Sequence, residues 1–363
     1  MAELAEILQA AVQYRASDIL IAPDQPPTVR IDGLLNRMAA PVIASEETKR
    51  WAYSIFTPEV QIEFETRRNV DFALALEGVA RFRVNVFVQS NGIAIVLRVV
   101  SSTIPTPEQI SLPASIVNLA NLPRGLVLVT GATGSGKSST LAAMIEQINI
   151  HQARHILTIE DPIEFVYQSK NSMVNQREVG KHADSFSQAL KYALRQNPDV
   201  IMVGEMRDME TIQLAMAAAE TGHLCLSTLH TQDAASTVSR IINEFPADAQ
   251  AKVGAQLCNV LAAVVSQVLL PRRGGGRVCA REVMIMNPAI SSLIREGKAN
   301  QIYGALESGA GQGMISLDQH LVHLVKSGQV DIEVAVAKAH DPASLRDRVQ
   351  IGRGVPPGVG LQR

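Results

Sequence analysis

The chain has 363 residues, of which 47% are hydrophobic and 19% charged, a composition that supports a folded core and excludes a largely disordered chain. Its 33 Lys and Arg residues nearly balance its 35 Asp and Glu residues, so the formal net charge is only -2. This balance argues against a general nucleic-acid binder, and no nucleic-acid partner is expected. The length predicts about two or three domains.

The cysteines and the apolar stretches exclude two further classes of protein. Cys225, Cys258 and Cys279 are far apart and form no CxxC pair, which excludes a disulfide framework and a cysteine-rich zinc site. The N-terminal segment is acidic where a signal peptide would be basic. Residues 253–270 are long enough to span a membrane, but polar residues interrupt them and Pro271 ends them. We expect a buried helix that runs into a strand, in a soluble, cytoplasmic protein.

Residues 1–100 are predicted to form a small α/β domain. Within residues 81–88 every second side chain is apolar, so the alternation places Arg81 and Arg83 together on the face away from the core. The predicted elements are a helix around residues 4–12, strands at 19–21 and 29–31, a helix at 46–55, and an antiparallel strand pair at 81–88 and 93–100.

Residues 101–112 contain two prolines and no clear periodicity, which predicts an extended linker. From 113 to 345 short apolar strands alternate with helical segments, which is typical of a mostly parallel sheet with helices on its faces. Residues 346–363 are rich in Gly and Pro and are predicted to be a flexible tail. The predicted strands are 126–130, 156–159, 200–203, 224–228, 264–270 and 277–285, with a glycine hairpin loop at 274–276 between the last two.

The clearest motif is the P-loop pattern G-x-x-x-x-G-K-[ST] at residues 131–138, which follows a predicted strand and precedes a predicted helix. Glycines let successive N–H groups point into one concavity, and the helix N-terminus adds partial positive charge. This order predicts an ATP site and disfavours the alternative, a glycine-rich turn without a ligand. Lys137 would reach the β- and γ-phosphates, and the Ser138 hydroxyl would bind Mg²⁺. The predicted nucleotide-binding residues are Gly131, Ala132, Thr133, Gly134, Ser135, Gly136, Lys137, Ser138 and Ser139.

Acidic residues follow two of the predicted strands. Glu160, Asp161 and Glu164 come after the strand at 156–159, and Glu205 lies just beyond the carboxyl end of the strand at 200–203. Ligands of open α/β sheets bind at the carboxyl ends of the strands, so these acids are candidates to organise Mg²⁺-ATP. The alternative for any one of them is a solvated loop carboxylate.

Two histidines flank the strand at 224–228. His223 and His230 are seven residues apart, and an odd spacing along a strand points them to opposite faces, which disfavours a zinc site. His230, at the end of the strand, is a candidate to hydrogen-bond a phosphate. A purely structural histidine is the alternative.

Several motifs in order resemble those of the type II/IV secretion and pilus ATPases, and most closely the pilus-retraction members of that family. Residues 194–208 resemble the family signature, 158–164 its Asp box and 222–230 its His box. The likeness extends over nearly the whole chain, through residues 16–18, 80–85, 174–178 and 293–296.

The resemblance implies a PAS-like N-terminal domain and a RecA-like ATPase domain in a hexameric ring, with ATP and Mg²⁺ bound between neighbouring subunits. By this likeness Glu164 is the general base, Glu205 holds Mg²⁺ directly or through water, and His230 lies near the γ-phosphate. The implied partners are an inner-membrane platform protein of the pilus and a related accessory ATPase. The implied location is the cytoplasmic side of the inner membrane at the pilus base.

Arg81, Arg83 and Arg98 match family arginines that approach the nucleotide, and ordinary surface arginines are the alternative. Residues 17–21 lack a histidine that the family often has, and Ser291 and Ser292 replace the Arg-Asn pair of a family motif tied to retraction. Neither change touches the ATP site, but both bear on how hydrolysis is coupled to retraction.

Other functions remain open from the sequence. An accessory ATPase of the same branch shares these motifs. Pilus-assembly and type II secretion ATPases usually carry an additional N-terminal domain and a four-cysteine insertion, which this sequence lacks. A non-hydrolysing scaffold would be expected to have lost Lys137, Glu164 or Glu205, and all three are present.

Overall fold

A computed structural model describes residues 2–31, 33–100 and 103–350, and the chain divides after Thr103 into two compact units. No helix in these described ranges is both long and apolar enough to cross a membrane. Each unit has its own sheet and its own hydrophobic core.

The first unit is an antiparallel sheet with helices packed on one face. Its strands lie in the order β3-β2-β1-β6-β5-β4. Phe82, Val84 and Val86 are fully buried between this sheet and the helices, as the alternation predicted. The elements are α1 (Ala2–Gln13), β1 (Asp18–Ile21), β2 (Thr28–Ile31), β3 (Leu34–Arg37), α2 (Ser45–Ser54), α3 (Pro58–Arg67), β4 (Asn69–Leu76), β5 (Ala80–Gln89) and β6 (Gly92–Val100).

The second unit is built on a seven-stranded sheet in the order β13-β12-β7-β11-β10-β8-β9. All neighbouring strands are parallel except the β12–β13 pair, which confirms the predicted mostly parallel α/β sheet. Its elements begin with α4 (Ala114–Leu119), β7 (Gly125–Thr130), α5 (Lys137–His151), β8 (His155–Glu160), β9 (Met173–Glu178), α6 (Phe186–Ala193), β10 (Val200–Val203), α7 (Met209–Glu220) and β11 (Leu224–Leu229). They continue with α8 (Ala234–Asn243), α9 (Gln250–Val260), β12 (Leu261–Pro271), β13 (Arg277–Ile285), α10 (Pro288–Arg295), α11 (Ile302–Ser308), α12 (Leu317–Lys326), α13 (Ile332–Val336) and α14 (Pro342–Gln350).

The order of strands sets the position of the site. β7, which leads into the P-loop, lies inside the sheet between β12 and β11, and β10 is the next strand but one. Because these strands are parallel, the residues that follow β7, β10 and β11 meet at one edge of the sheet. Two apolar clusters cover the two faces of this sheet, so the edge rests on a rigid base.

The apolar stretch at 253–270 is a helix that runs directly into a strand, as predicted, because α9 ends at Val260 and β12 begins at Leu261. The predicted glycine hairpin loop is also confirmed. Gly274, Gly275 and Gly276 connect β12 to β13 with φ values of 85°, 103° and 74°. Glycine adopts this left-handed region without steric cost.

Residues 104–112, which the sequence suggested as part of a linker, pack against the second unit. Leu112 is buried in its core, and the backbone carbonyls of Ile110 and Ser111 each accept a hydrogen bond of 2.9 Å from the buried guanidinium of Arg281. The segment is also not extended as predicted, because backbone hydrogen bonds close turns within it, from the N–H of Ile110 to the carbonyl of Thr106 at 3.3 Å and from the N–H of Leu112 to the carbonyl of Pro107 at 2.7 Å. Residues 101 and 102 lie outside the described residues.

The predicted flexible tail at 346–363 begins inside a helix. α14 extends to Gln350, and its Leu345 and Val349 are buried in a small apolar cluster with α12 and α13. Residues 346–350 are therefore part of the folded unit. Residues 351–363 lie outside the described residues.

Candidate nucleotide-binding site

The loop between β7 and α5 is shaped by glycines. Gly131, Gly134 and Gly136 have φ values of 138°, 78° and 91°, in the region that side chains disfavour. A Cβ atom on Gly131 would lie 2.3 Å from the backbone oxygen of Gln267 on β12. The first glycine of the motif is thus required both by its own backbone and by the neighbouring strand.

Lys137 is buried at the first position of α5 and turns back into the loop. Its Nζ donates hydrogen bonds to the carbonyl oxygens of Gly131 at 2.8 Å and Ala132 at 3.1 Å. Burial lowers the pKa of Lys137, while the negative charges of Glu205 and Glu164 oppose that shift. The lysine is a partly desolvated cation inside the concavity, where a phosphate would be its natural counter-ion.

The rest of the loop fits a nucleotide. The Ser135 hydroxyl is buried and has no partner within the described ranges, so a hydrogen-bonding ligand would satisfy it. The first turn of α5 follows directly, and its exposed backbone N–H groups favour an anion. The other predicted loop residues are accessible to a ligand: Ala132, Thr133 and Gly134 are exposed, and Ser138 and Ser139 are half-buried.

Glu205, His230 and Lys137 are brought together by three different strands. Glu205 Oε1 lies 2.9 Å from His230 Nε2, and His230 Nδ1 lies 3.5 Å from Lys137 Nζ. The second oxygen of Glu205 pairs with Arg207 at 2.9 Å. His223 lies at the opposite end of β11, so the two histidines are separated by the whole strand.

The backbone around Glu205 is fixed by the neighbouring strand. The Thr228 hydroxyl on β11 donates to the carbonyl of Gly204 at 2.6 Å, and the N–H of Met206 donates to the carbonyl of Thr228 at 3.2 Å. The peptide groups on both sides of Glu205 are therefore held by one residue. Glu205 and Ser138 are the predicted Mg²⁺ ligands, and carboxylate and hydroxyl oxygens are donors that this ion accepts.

The acids at the end of β8 and in the loop after it have different environments. Glu160 is buried and accepts hydrogen bonds from Thr158 Oγ1 at 2.6 Å and Gln176 Nε2 at 3.1 Å. It also accepts a hydrogen bond of 3.2 Å from the backbone N–H of Glu164. Burial raises the pKa of Glu160. Glu164 itself is exposed, and its charge acts on Lys137. Glu160 thus shapes the loop that presents Glu164, a division of roles that the sequence alone did not indicate.

The three arginines lie on the open face of the first unit's sheet. Arg83 and Arg98 are directly opposite each other on β5 and β6, and Asp18 on β1 is opposite Arg98. Arg98 Nε pairs with Asp18 Oδ1 at 2.9 Å, which offsets the repulsion between the paired arginines. Arg81 is two residues before Arg83 on the same face of β5.

Gln267 is a site residue that the sequence reasoning missed. It is buried on β12, and its side-chain amide contacts both the P-loop and α5. A polar pair, Ser266 and Gln267, interrupts an otherwise apolar predicted strand, and that interruption was the available signal. Buried polar groups need partners, so their presence in a core strand indicates a specific contact.

Comparison with known proteins gives a consistent result along the chain. The family model described as type II/IV secretion system protein matches residues 2–280. The type IV pilus retraction ATPase PilT of Pseudomonas aeruginosa is 46% identical over 343 residues, which cover 94% of this chain and 100% of that protein. The twitching motility protein of Neisseria gonorrhoeae is 48% identical over 320 residues, covering 88% of this chain and 86% of that protein.

The fold agrees with a solved relative. A crystal structure of the pilus retraction motor PilT with bound ADP matches at a TM-score of 0.87 and 43% identity, covering 94% of this chain and 98% of that one. This agreement confirms the predicted α/β fold, which here consists of two compact units with one sheet each.

The site predicts the effect of removing its buried cation. Lys137→Ala should reduce the rate of Mg²⁺-ATP hydrolysis by roughly 100-fold or more, because a charge-assisted hydrogen bond to phosphate is lost in a desolvated site. Phosphate release by the purified variant and by the wild type measures this. Lys252→Ala, which removes an exposed lysine on α9, is the matched control. Equal rates for Lys137→Ala and the wild type would contradict the assignment of the site.

Proposed function

Because the chain belongs to the type II/IV secretion system protein family, we propose that it is an ATP-driven motor that powers the retraction of a type IV pilus. The observation that carries the proposal is near-full-length similarity to a pilus retraction ATPase, together with an intact set of Lys137, Glu164 and Glu205. The type II secretion relatives offer a less complete match, because a smaller share of their own length is covered.

The residues divide the work of hydrolysis between them. When bound, Mg²⁺-ATP supplies the phosphoanhydride whose cleavage releases free energy. Lys137 holds the negative charge of the phosphates, and Ser138 and Glu205 supply oxygens for the metal. Glu164, exposed and held at its backbone by Glu160, is free to take the proton of the attacking water.

His230 is assigned a different role, that of sensing the nucleotide. Its ring lies between Glu205 and Lys137, so it contacts an acid and a cation that both face the phosphates. A change in the charge of the bound phosphates would alter both of these contacts. Such a change is what distinguishes ATP from ADP.

The two carboxylates should respond differently to removal of their charge. Glu164→Gln should lower turnover by about 10²–10⁴-fold while nucleotide still binds, because it keeps the size of the side chain and removes the base. Glu205→Gln should mainly raise the Mg²⁺ concentration needed for activity. Phosphate release titrated with Mg²⁺, alongside binding of a fluorescent ATP analogue, separates the two effects.

Glu210→Gln, an exposed glutamate in the first turn of α7, is the control for these two variants. If Glu164→Gln kept full turnover while Glu205→Gln lost it with nucleotide still bound, the two roles would have to be exchanged.

We propose that the active form is a homo-hexamer in which the arginines of one subunit complete the site of the next. The support is chemical. Lys137, Glu164 and Glu205 belong to the second unit, whereas Arg81, Arg83 and Arg98 belong to the first. Charge spreads over the γ-phosphoryl oxygens in the transition state, and an arginine supplied in trans stabilises it.

This proposal predicts complementation between inactive subunits. Arg83→Ala should leave nucleotide binding largely intact and cut turnover strongly, since arginines acting in trans contribute about 10³–10⁵ in rate in related NTPases. Mixing Arg83→Ala with Lys137→Ala should restore part of the activity, because mixed rings contain interfaces with both halves intact. Phosphate release across a titration of one variant into the other measures the recovery.

The control for complementation is Arg67→Ala, which removes an exposed arginine of the same unit from α3. It should retain wild-type turnover. An absence of recovery at every ratio, with mixed rings confirmed by mass measurement, would show that the arginine acts within its own subunit or only supports the fold.

A retraction motor must act on the pilus machinery. We propose that the partner is the inner-membrane platform protein at the pilus base, and that the motor binds it peripherally from the cytoplasm. A related accessory ATPase is a second proposed partner. Ser291 and Ser292 on α10 are the positions where this chain departs from the family's retraction motif, so the same fold could itself serve as such an accessory.

A deletion strain distinguishes these functions in the cell. Loss of the retraction motor should abolish twitching while surface pili accumulate, because extension continues without retraction. Twitching on agar and pili counted by electron microscopy are the measurements. Bald cells would instead indicate an assembly ATPase, and reduced but persistent twitching would favour the accessory role.

A further inference from the structure

We propose that Gln267 is a positioning residue that fixes the shape of the P-loop from the neighbouring strand. Its side chain lies on β12, only 4% exposed, beyond the motif that defines the site. The amide Nε2 donates to the carbonyl of Ser135 at 2.8 Å, and Oε1 accepts from the Thr140 hydroxyl at 3.0 Å. One side chain therefore connects the loop to the helix that follows it. The inference rests on the proposed nucleotide site.

The contact with Ser135 has a direct effect on the loop. In a trans peptide the C=O of one residue and the N–H of the next point in opposite directions. By holding the Ser135 carbonyl, Gln267 directs the N–H of Gly136 away from β12. The peptide group between Ser135 and Gly136 is otherwise weakly restrained, because glycine adopts a wide range of φ values and Gly136 has φ at 91°. A contact from outside the loop is therefore needed to fix its orientation.

The two contacts require an amide. Gln267 must donate to a carbonyl at one end and accept from a hydroxyl at the other, and both partners are buried. A carboxylate would lose the donor, and an aliphatic side chain would lose both functions. Thr140 is 1% exposed, so without Gln267 its buried hydroxyl would lose this hydrogen-bond partner.

The backbone of the same strand supports the start of the motif. The carbonyl oxygen of Gln267 lies where a Cβ atom on Gly131 would fall. The preceding residue, Ser266, accepts a hydrogen bond of 2.8 Å from Thr130 at the end of β7. β12 thus contacts the motif at its first residue, at Ser135 and, through Thr140, in the first turn of α5.

Loss of this support should appear as weaker phosphate binding. Gln267→Leu and Thr140→Val should each raise the Kd of fluorescent ADP by roughly five- to tenfold, since a hydrogen bond that orders the loop is lost. KM for ATP should rise by a similar factor and kcat should fall by less, because the oriented N–H contacts phosphate in the ground state and the transition state alike. The double variant should bind ADP no more weakly than whichever single variant has the higher Kd, because both substitutions remove the same support of the loop.

Thr140→Ser keeps the hydroxyl and should restore wild-type affinity, which a role in packing volume alone would not predict. Thr48→Val, a buried threonine of the first unit, is the control for loss of a hydroxyl. If Gln267→Leu fails to fold, Thr140→Val still tests the proposal. Unchanged Kd and KM in a folded variant, with only a lower melting temperature, would overturn it.

The wild type separates this inference from the proposed function. If the wild type binds ADP and hydrolyses no ATP, the motor function fails and the effect of Gln267 is still read from the Kd. If the wild type binds no nucleotide, both proposals are wrong.

Discussion

The turn from β7 into α5 is the constraint around which the second unit is arranged. A strand inside the sheet must reverse into a helix within a few residues while its N–H groups face one point, and only positive φ values allow this. The positions of the strands on both sides of β7 are then restricted by close contacts with this loop. β12 packs a carbonyl against Gly131, and β11 carries His230 to the other side of Lys137. Glu164 and Glu205 follow β8 and β10 at the same edge.

The charges at this edge are balanced in pairs. Lys137 is buried against backbone carbonyls, and its nearest acids are the ones that would hold the metal and activate water. Glu205 is shared between His230 and Arg207, so each of its two oxygens is oriented by a hydrogen-bonding partner. The phosphates of a nucleotide would be an additional counter-ion for this partly desolvated cation.

Much of the fold could be predicted from the sequence because its signals are local. Alternation placed Arg81 and Arg83 on one face of β5, and the apolar runs located the strands that precede Gly131 and Glu205. The P-loop was visible because its chemistry is confined to eight consecutive residues. Contacts between segments that are distant in the sequence could not be predicted from these local signals. Gln267 looked like an interruption in an apolar strand until its partners 127 and 132 residues away were known.

The same limit explains the segment at 104–112. Two prolines and weak periodicity predicted an extended connection there, but composition does not report whether an irregular segment is solvated or packed. Arg281, opposite Gln267 in the β12–β13 register, is 2% exposed, and two carbonyls of this segment are its hydrogen-bond partners. A fragment of the protein that starts at residue 113 would lose both of these hydrogen bonds to a charged group, each worth about 1.5–3 kcal/mol, which together are a large share of a domain's stability. In folding terms the ATPase unit therefore begins at Ile104, and a segment with the composition of a connector is the first part of its core.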